Sequence, residues 1–123
     1  MALATCHRDF QFCVRNGKLS LHWNQRSVDA FLGLCFNIAS YATLLLMVSR
    51  LVGYEPGILS FHGVDVHIYK NHIKQVKEQL TREPYGLPSL RLKTKYSIDE
   101  YTPEDFMLAG YTYHPKLYGK ISV

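Results

Sequence analysis

The sequence lacks the features of several protein classes. Its three cysteines, Cys6, Cys13 and Cys35, leave one unpaired in any disulfide scheme and show no C-x-x-C spacing, so neither a secreted disulfide scaffold nor a zinc site is predicted. We therefore expect a cytoplasmic protein. The start MALATCHRDF has no basic segment followed by an apolar one, so no signal peptide is predicted. The longest apolar stretch, 42–48, is too short for a membrane span, and a buried helix is predicted there.

The distribution of charge does not indicate a nucleic-acid site, and the spacing of the histidines does not indicate a metal site. The net charge of +4 and the pI near 9.0 favour an anionic ligand, but no dense run of basic residues suggests nucleic acid. A phosphorylated small molecule would satisfy this charge equally well. We predict no metal, because no metal-ligand spacing links the six histidines His7, His22, His62, His67, His72 and His114.

The sequence has enough apolar material for one packed domain. A chain of 123 residues that is 47% hydrophobic fits a single domain. Small domains bury a smaller share of their surface than large ones, so the 13% aromatic content also makes this chain a candidate for completion by a partner.

A hairpin and a long apolar helix are predicted in the first half. From Asp9 to Gln25, apolar residues alternate on two arms around Asn16-Gly17, a pair that suits a type I′ turn. The polar segment 25–29 is expected to follow this strand. Residues 36–52 are apolar on nearly every face, which predicts a core helix buried on all sides. The alternating residues are Phe10, Phe12 and Val14 on one arm and Leu19, Leu21 and Trp23 on the other.

Shorter helices and strands are predicted in the second half of the chain. Pro56-Gly57 is expected to break the chain before a strand from Ile58 to Tyr69. Residues 71–82 have the period of an amphipathic helix. The alternation at 90–93 predicts a half-exposed strand. Residues 102–105 carry the signals of a helix start, and residues 106–108 fit either a short helix or a strand.

Cys6 followed by His7 is the first candidate for chemistry. A cysteine is nucleophilic as its thiolate, which a nearby cation or hydrogen-bond donor favours. A buried, inert cysteine is the commoner outcome for such a pair. Cys13 and Cys35 lie inside apolar patterns, and for both we predict small core residues.

Arg26, Ser27 and Asn37 are the next candidates. A guanidinium beside a hydroxyl suits a phosphate, and a salt bridge between Arg26 and Asp29 is an equally good interpretation. Asn37, at the start of the apolar helix, is either an N-terminal cap or an amide that binds the edge of a heterocycle.

His67 and Tyr69 are predicted to share one face of a strand, because side chains two residues apart point the same way. Both could then reach one ligand. A core histidine with a satisfied hydrogen bond explains His67 equally well.

Four segments resemble thymidylate synthase, the enzyme family that methylates dUMP with a folate donor. They are MALATCHRDFQF, QRSVDAFLGLCFNIASYA, GVDVHIYKNH and EDFMLAGYTYHP, and the FNIASYA block is highly specific. The resemblance covers essentially the whole chain and implies one partial domain over 1–123. It implies an α+β fold with a twisted mixed sheet that packs on the apolar helix and on the same sheet of a second subunit.

The resemblance also implies residue roles. Cys6 would be the nucleophile that adds to C6 of dUMP, and Arg26 would lie close enough to favour its thiolate. The cosubstrate 5,10-methylenetetrahydrofolate would supply the one-carbon unit and the hydride and leave as dihydrofolate. The implied dUMP contacts are Arg26 and Ser27 to the phosphate, Asn37 to the uracil edge, His67 and Tyr69 to the deoxyribose hydroxyl, with Val28, Asp29 and Ile68. The implied folate contacts are Asp29, Leu32, Gly33 and Phe36, with the terminal Ser122 and Val123 closing over them.

The chain departs from the family pattern in three places. Thr5 and Cys35 stand where the family commonly has proline, which could loosen the local backbone because proline fixes φ. The family's amino-terminal region, which supplies further arginines and the glutamate and tryptophan of the folate side, has no counterpart. The resemblance therefore implies a chain that is nearly inactive alone and exposes apolar surface. The expected partners are a second copy or a complementing amino-terminal fragment, with no membrane or DNA.

Two rival functions stay open. A dUMP hydroxymethylase of the same family uses the same cysteine and folate but lets water replace the hydride. Asn37 favours uracil, because the cytosine-specific relatives place an acid there. The other rival is a non-catalytic remnant that binds a nucleotide or a protein.

Overall fold

The computed structural model describes residues 4–122 of the chain. The chain divides into two compact units, Met1–Ile68 and Tyr69–Val123. The first unit contains β1 (His7–Arg15), β2 (Lys18–Asp29), α1 (Leu34–Val52) and β3 (Glu55–His67). The second contains a 3₁₀ turn (Lys70–His72), α2 (Ile73–Leu80), β4 (Ser89–Leu92), two more 3₁₀ turns (Ile98–Glu100 and Pro103–Asp105) and β5 (Phe106–Ala109).

The first unit is built on a mixed three-stranded sheet with the order β1-β2-β3. β1 runs antiparallel to β2, and β3 runs parallel to it. The turn between β1 and β2 has positive φ at both central residues, 52° at Asn16 and 72° at Gly17, as a type I′ turn requires. The predicted hairpin and the predicted mixed α+β architecture are confirmed. β2 continues to Asp29, so the segment 25–29 lies inside the strand and not after it.

α1 packs one side on this sheet. Leu45 is 4% exposed and forms the core with the inward-facing Leu19 and Leu21 of β2. The helix ends at Gly53, whose φ of 74° is the left-handed conformation that glycine adopts freely. The prediction of a helix buried on all sides is wrong: Leu45 and Ser49 are its buried residues, and Phe36 is 74% exposed. In the described part of the chain, the sheet covers one face of α1 and leaves the rest open.

α1 is also the one described helix that is long and apolar enough to cross a membrane, with 19 residues and a mean hydropathy of 1.5. Core helices of soluble proteins meet the same criterion.

β3 differs from its predicted bounds. Pro56-Gly57 does not break the chain, because Pro56 pairs with Leu19 inside the strand. The chain turns earlier, at Gly53. β3 ends at His67, and Tyr69 precedes the 3₁₀ turn that starts at Lys70. The prediction that His67 and Tyr69 share one strand face is therefore wrong.

The second unit pairs β4 with β5 in an antiparallel arrangement, which confirms the predicted strand at 90–93. α2 begins at Ile73, two residues later than predicted, because residues 70–72 form the 3₁₀ turn. The helix-start signals at 102–105 form a capping box that leads into β5, so residues 106–108 are a strand.

Asp105 anchors this second unit. Its buried carboxylate accepts the Thr102 N–H at 2.9 Å and the Thr102 hydroxyl at 3.1 Å. The ammonium groups of Lys93 and Lys95 lie 3.3 and 3.2 Å away. The Thr102 backbone N–H, supported by the two lysines, holds the pKa of Asp105 well below its usual range. The charged carboxylate thus ties β4 and the following loop to the start of β5.

Candidate functional site

The β1–β2 hairpin brings Cys6 and Arg26 together. The Arg26 N–H donates to the Cys6 carbonyl at 2.7 Å, which extends the pairing of the two strands to Cys6. The Arg26 side chain then lies beside the thiol, with Nη2 3.6 Å from the Cys6 sulfur, and Nη2 also donates to the Ala4 carbonyl at 3.0 Å. The alternative prediction, a salt bridge between Arg26 and Asp29, is wrong, because these two side chains form no ion pair within residues 4–122. A half-buried thiol therefore faces a cation.

The Arg26 guanidinium has bonding capacity left over. Its Nε is buried and has no hydrogen-bond partner among the described residues. The neighbouring Ser27 hydroxyl donates to a carboxylate oxygen of Asp65 at 3.4 Å, and the same oxygen lies 3.4 Å from His67 Nδ1. A hydroxyl has one hydrogen to donate. An anion that uses both Arg26 and Ser27 must therefore displace Asp65 from Ser27.

Asp29 shapes the link from β2 to α1. Its Oδ1 accepts the backbone N–H groups of Phe31 at 2.9 Å and Leu32 at 3.1 Å, an Asx turn that stops the strand. The Gly33 N–H donates to the Asp29 carbonyl at 2.9 Å, and a Cβ at Gly33 would lie 3.1 Å from that oxygen. The small residue thus lets α1 begin close against the end of β2.

Asn37 lies in the first turn of α1 and not at its cap, which is Gly33. The Asn37 Oδ1 accepts from Gln25 Nε2 at 3.2 Å, and its Nδ2 lies 3.5 Å from His7 Nε2. Of the two interpretations of Asn37, the N-terminal cap is therefore wrong. The amide is held between β2 and the residue that follows Cys6.

Three aromatic side chains pack together in the same unit. Trp23 stacks on Tyr41 with ring centroids 4.6 Å apart, and Phe61 lies on its other side at 4.7 Å. Tyr41 OH lies 3.1 Å from His7 Nδ1. Burial, and then the charge of Asp9, raise the pKa of Tyr41, so its phenol is neutral at neutral pH.

Three residues of this site were not predicted from the sequence. Gln25 continues the inward alternation of Leu19, Leu21 and Trp23, and that period was the available signal. Tyr41 follows Asn37 by four residues and so shares its helix face. Asp65 had no comparable signal, because its contact with Ser27 depends on how β3 pairs with β2.

The remaining predicted site residues are distributed over both units. In the first, Val28 is buried in β2 opposite Val66, His67 ends β3 opposite Asp29, Ile68 is exposed, and the Phe36 ring is exposed. In the second, the Ser122 hydroxyl donates to Asn71 Oδ1 at 2.8 Å, beside Asn71 Nδ2, which donates to the Lys120 carbonyl at 3.2 Å. Tyr69 also belongs to the second unit, and Val123 lies outside the described residues.

The cysteines differ from expectation at two positions. Cys13 and Cys35 are exposed, so the prediction of two small core residues is wrong. Cys13 lies on the sheet face that points away from α1, and Cys35 lies in the first turn of α1, where no described residue covers it. All three cysteines are free thiols. Between residues 4 and 122, no group of three or more His, Cys, Asp or Glu side chains is placed to hold a metal ion.

Comparison with known proteins identifies the family. A sequence model described as thymidylate synthase matches residues 1–123. The chain belongs to the thymidylate synthase family. Thymidylate synthases from two strains of Francisella tularensis subsp. holarctica are each 52% identical to it over 123 residues. Each alignment covers 99% of this chain and 45% of the relative, so the chain spans less than half the length of these thymidylate synthases.

Three residues to which the thymidylate synthase resemblance assigns chemistry are physically linked. Cys6 touches Arg26 through its sulfur, and its neighbour His7 reaches the Asn37 amide. The hairpin therefore places a cation beside the thiol, and the first turn of α1 places an amide against the residue that follows the thiol. Their roles toward dUMP stay predictions.

Proposed function

We propose that this chain carries the nucleophile-bearing part of a thymidylate synthase active site, which converts dUMP and 5,10-methylenetetrahydrofolate to dTMP and dihydrofolate. The observation that carries the proposal is the contact of Arg26 Nη2 with the Cys6 sulfur, 3.6 Å, in a guanidinium whose Nε has no partner among the described residues. The cation can serve the thiol and an anionic substrate together.

Cys6 is proposed as the nucleophile. Its sulfur adds to C6 of the pyrimidine, the C5–C6 π electrons move toward C5, and C5 becomes the carbon that forms the new bond. A guanidinium N–H directed at the sulfur stabilises negative charge there. The side chain of His7, the next residue, contacts the amide of Asn37.

Arg26 and Ser27 are proposed to hold the phosphate of dUMP. The unpartnered Nε of Arg26 supplies a donor that no described residue uses, and arginine matches phosphate geometry with paired N–H groups. Ser27 would exchange Asp65 for a phosphate oxygen. This exchange also separates two anions, since the Asp65 carboxylate would otherwise lie beside the phosphate.

Asn37 is proposed to bind the uracil edge. Its Oδ1 already accepts from Gln25, so its Nδ2 is the half of the amide with a hydrogen to spare. An N–H donor pairs with the carbonyl at C4 of uracil and not with the amino group of cytosine. His67 and Ile68 are proposed to contribute to the nucleotide site.

Asp29, Leu32, Gly33 and Phe36 fit a folate ligand. Asp29 Oδ1 is occupied by two backbone N–H groups, which leaves Oδ2 as an acceptor for a pterin N–H. The exposed Phe36 ring offers a face for stacking a planar heterocycle. When bound, the folate supplies the one-carbon unit and the hydride. The chain's own residues orient it.

Completion by a partner follows from the exposed apolar face of α1. Phe36, on the side of α1 opposite the core residue Leu45, is 74% exposed, while more than half of the relatives' length has no counterpart in this chain. We propose that a second copy, or a separately supplied amino-terminal region, covers this face, and that the chain alone turns over dUMP slowly or not at all.

A non-catalytic remnant is the second candidate, and the Asp65 carboxylate on Ser27 favours it, because it opposes a phosphate there. The test is to incubate the purified chain with dUMP and 5,10-methylenetetrahydrofolate, alone and with the amino-terminal part of a Francisella thymidylate synthase. Mass spectrometry of the nucleotide then distinguishes dTMP from 5-hydroxymethyl-dUMP.

Cys6→Ser is the control for both samples. Formation of dTMP in the complemented sample, absent from the control, supports the proposal. The hydroxymethyl product would assign the chain to a dUMP hydroxymethylase. Unchanged dUMP in a stable complex would support the remnant.

A further inference from the structure

Five side chains in the first unit form a closed circuit: Trp23, Gln25, Asn37, His7 and Tyr41. The hydrogen-bond distances along it are 3.4 Å from Trp23 Nε1 to Gln25 Oε1, 3.2 Å from Gln25 Nε2 to Asn37 Oδ1, 3.5 Å from Asn37 Nδ2 to His7 Nε2, and 3.1 Å from His7 Nδ1 to Tyr41 OH. The Tyr41 ring then stacks on Trp23, with an angle of 15° between the planes, and closes the circuit.

The donor and the acceptor of each hydrogen bond in this circuit are fixed, which gives the circuit a direction. An indole N–H can only donate, so the oxygen of the Gln25 amide must face Trp23. Gln25 Nε2 also donates to the Ser27 carbonyl at 3.2 Å, and a carbonyl can only accept. Both neighbours therefore select the same orientation of Gln25, with its nitrogen toward Asn37.

This direction passes on to Asn37 and His7. Asn37 Oδ1 accepts from Gln25, so Asn37 Nδ2 must be the group that faces His7. His7 Nε2 then accepts, which places the proton of the neutral imidazole on Nδ1, from where it donates to Tyr41. The second hydrogen of Asn37 Nδ2 stays available to a ligand.

Burial makes it costly to exchange the donors and acceptors along this circuit. Trp23 is 1% exposed and Gln25 is 4% exposed, and a misdirected amide in a low-dielectric interior leaves donors facing donors. Trp23 donates its N–H to Gln25 and stacks its ring on Tyr41. It therefore contacts the first and the last residue of the series Gln25, Asn37, His7 and Tyr41.

We propose that Trp23 is a positioning residue for pyrimidine recognition. Together with the Ser27 carbonyl, it orients the Gln25 amide. Through Gln25 it supports the orientation of the Asn37 amide, the tautomer of His7 and the preference for a 4-carbonyl over a 4-amino pyrimidine. The inference rests on the proposed function only for the identity of the ligand. The direction of the circuit is a property of the protein itself.

Two variants test whether the Trp23 N–H orients the side chains of this circuit. Trp23→Phe keeps an aromatic ring between Tyr41 and Phe61 but removes the indole N–H. Phe61→Leu removes the ring on the other face of Trp23 and keeps the N–H. The second variant is the matched control for loss of packing, because it leaves all four hydrogen bonds of the circuit in place.

Two measurements are made on each protein. Long-range nitrogen–proton correlation spectra at about pH 8.5, where imidazole is neutral, give the tautomer of His7. Titration of the chain with dUMP and with dCMP, in the presence of the supplied amino-terminal region, gives the ratio of the two affinities. The wild-type chain should show the Nδ1–H tautomer and bind dUMP more tightly.

Trp23→Phe leaves the Ser27 carbonyl as the remaining group that orients Gln25. The variant should therefore add a minor fraction of the other tautomer and lower the dUMP preference about two- to tenfold, the effect of one neutral hydrogen bond. Phe61→Leu should lower stability and leave both readouts at the wild-type values. Gln25→Glu, which offers Asn37 only acceptors, should reverse the preference toward dCMP.

An unchanged tautomer and an unchanged affinity ratio in Trp23→Phe would overturn the inference, as would equal changes in Phe61→Leu. If the wild-type chain binds neither nucleotide in a stable complex with the supplied amino-terminal region, the proposed function fails. The tautomer measurement still decides the role of Trp23 in that case, so the two failures are distinguishable.

Discussion

Arg26 Nη2 lies 3.6 Å from the Cys6 sulfur, and the backbones of the same two residues are joined by a hydrogen bond of 2.7 Å. The strand pairing therefore fixes both the distance and the direction of approach. A short, backbone-anchored contact of this kind depends little on how the rest of the chain is completed.

Replacing Arg26 with Gln should slow alkylation of Cys6 by iodoacetamide about tenfold, because the positive charge and the N–H directed at the sulfur are lost. The rate is measured in a Cys13→Ser, Cys35→Ser background, since both of these thiols are exposed. Arg15→Gln, at the far end of β1, is the matched control and should react at the parent rate. Equal rates for the two variants would contradict the account.

The turn at Asn16-Gly17 should be sensitive to a single methyl group. Gly17 has φ +72°, where a Cβ costs about 1–2 kcal/mol, so Gly17→Ala should lower the free energy of unfolding by that amount. Urea unfolding followed by the fluorescence of Trp23, the single tryptophan, reports on this unit. Gly86→Ala is the control, because Gly86 has no such φ and a Cβ there meets open space. Equal stability of Gly17→Ala and wild type would argue against the type I′ turn.

This hairpin was predictable because its information is local. Asn-Gly selects the turn, and the alternation of Phe10, Phe12 and Val14 sets the register against Trp23, Leu21 and Leu19. The same alternation, followed one step further, would have placed Gln25 inside the site. The positions of Arg26 and Asn37 near Cys6 came from the family resemblance, and geometry supports their proximity.

The errors share a different cause. Burial of α1 depends on what covers its second face, which no pattern within residues 36–52 specifies. The prediction that Cys13 and Cys35 lie in the core is wrong for the same reason. The end of β3 at His67 depends on its pairing with Asp29, where β2 stops at the Asx turn. Each of these features is set by elements distant in sequence.

Opposite results are expected from two substitutions in α1. Leu45→Ala should cost about 2–5 kcal/mol of unfolding free energy, because Leu45 is 4% exposed and its loss opens a cavity. Phe36→Ser should leave the unfolding free energy nearly unchanged and reduce self-association, because the exposed ring is removed from an apolar surface.

Urea titration measures the first effect and light scattering the second. A large loss of stability in Phe36→Ser would show that its ring is buried in solution, and the open face of α1 would then be disproved.

The stability of the second unit should depend on acid through Asp105. Its folded pKa is lowered, chiefly by the Thr102 N–H, so the ionised form stabilises the folded state at neutral pH. This stabilisation should fall once the pH drops below the usual aspartate value of about 4, since protons then bind the unfolded state first.

Asp105→Asn should therefore be less stable than wild type at about pH 7, and the difference should shrink toward about pH 3. Urea unfolding followed by circular dichroism at several pH values measures this difference. Asp99→Asn, on the exposed 3₁₀ turn, is the control and should show no such trend. A difference for Asp105→Asn that stays constant with pH would contradict the role of its charge.

The central claim is that Cys6 is the nucleophile of an incomplete thymidylate synthase site. The most direct measurement is the intact mass of the chain after incubation with 5-fluoro-dUMP and 5,10-methylenetetrahydrofolate, with and without a supplied amino-terminal region, and with Cys6→Ala as the control. The fluorine blocks proton removal from C5, so a competent site retains both ligands covalently. We predict an adduct in the complemented sample that is absent from Cys6→Ala and from the chain alone. An adduct that persists in Cys6→Ala, or none in a stable complex, would contradict the claim.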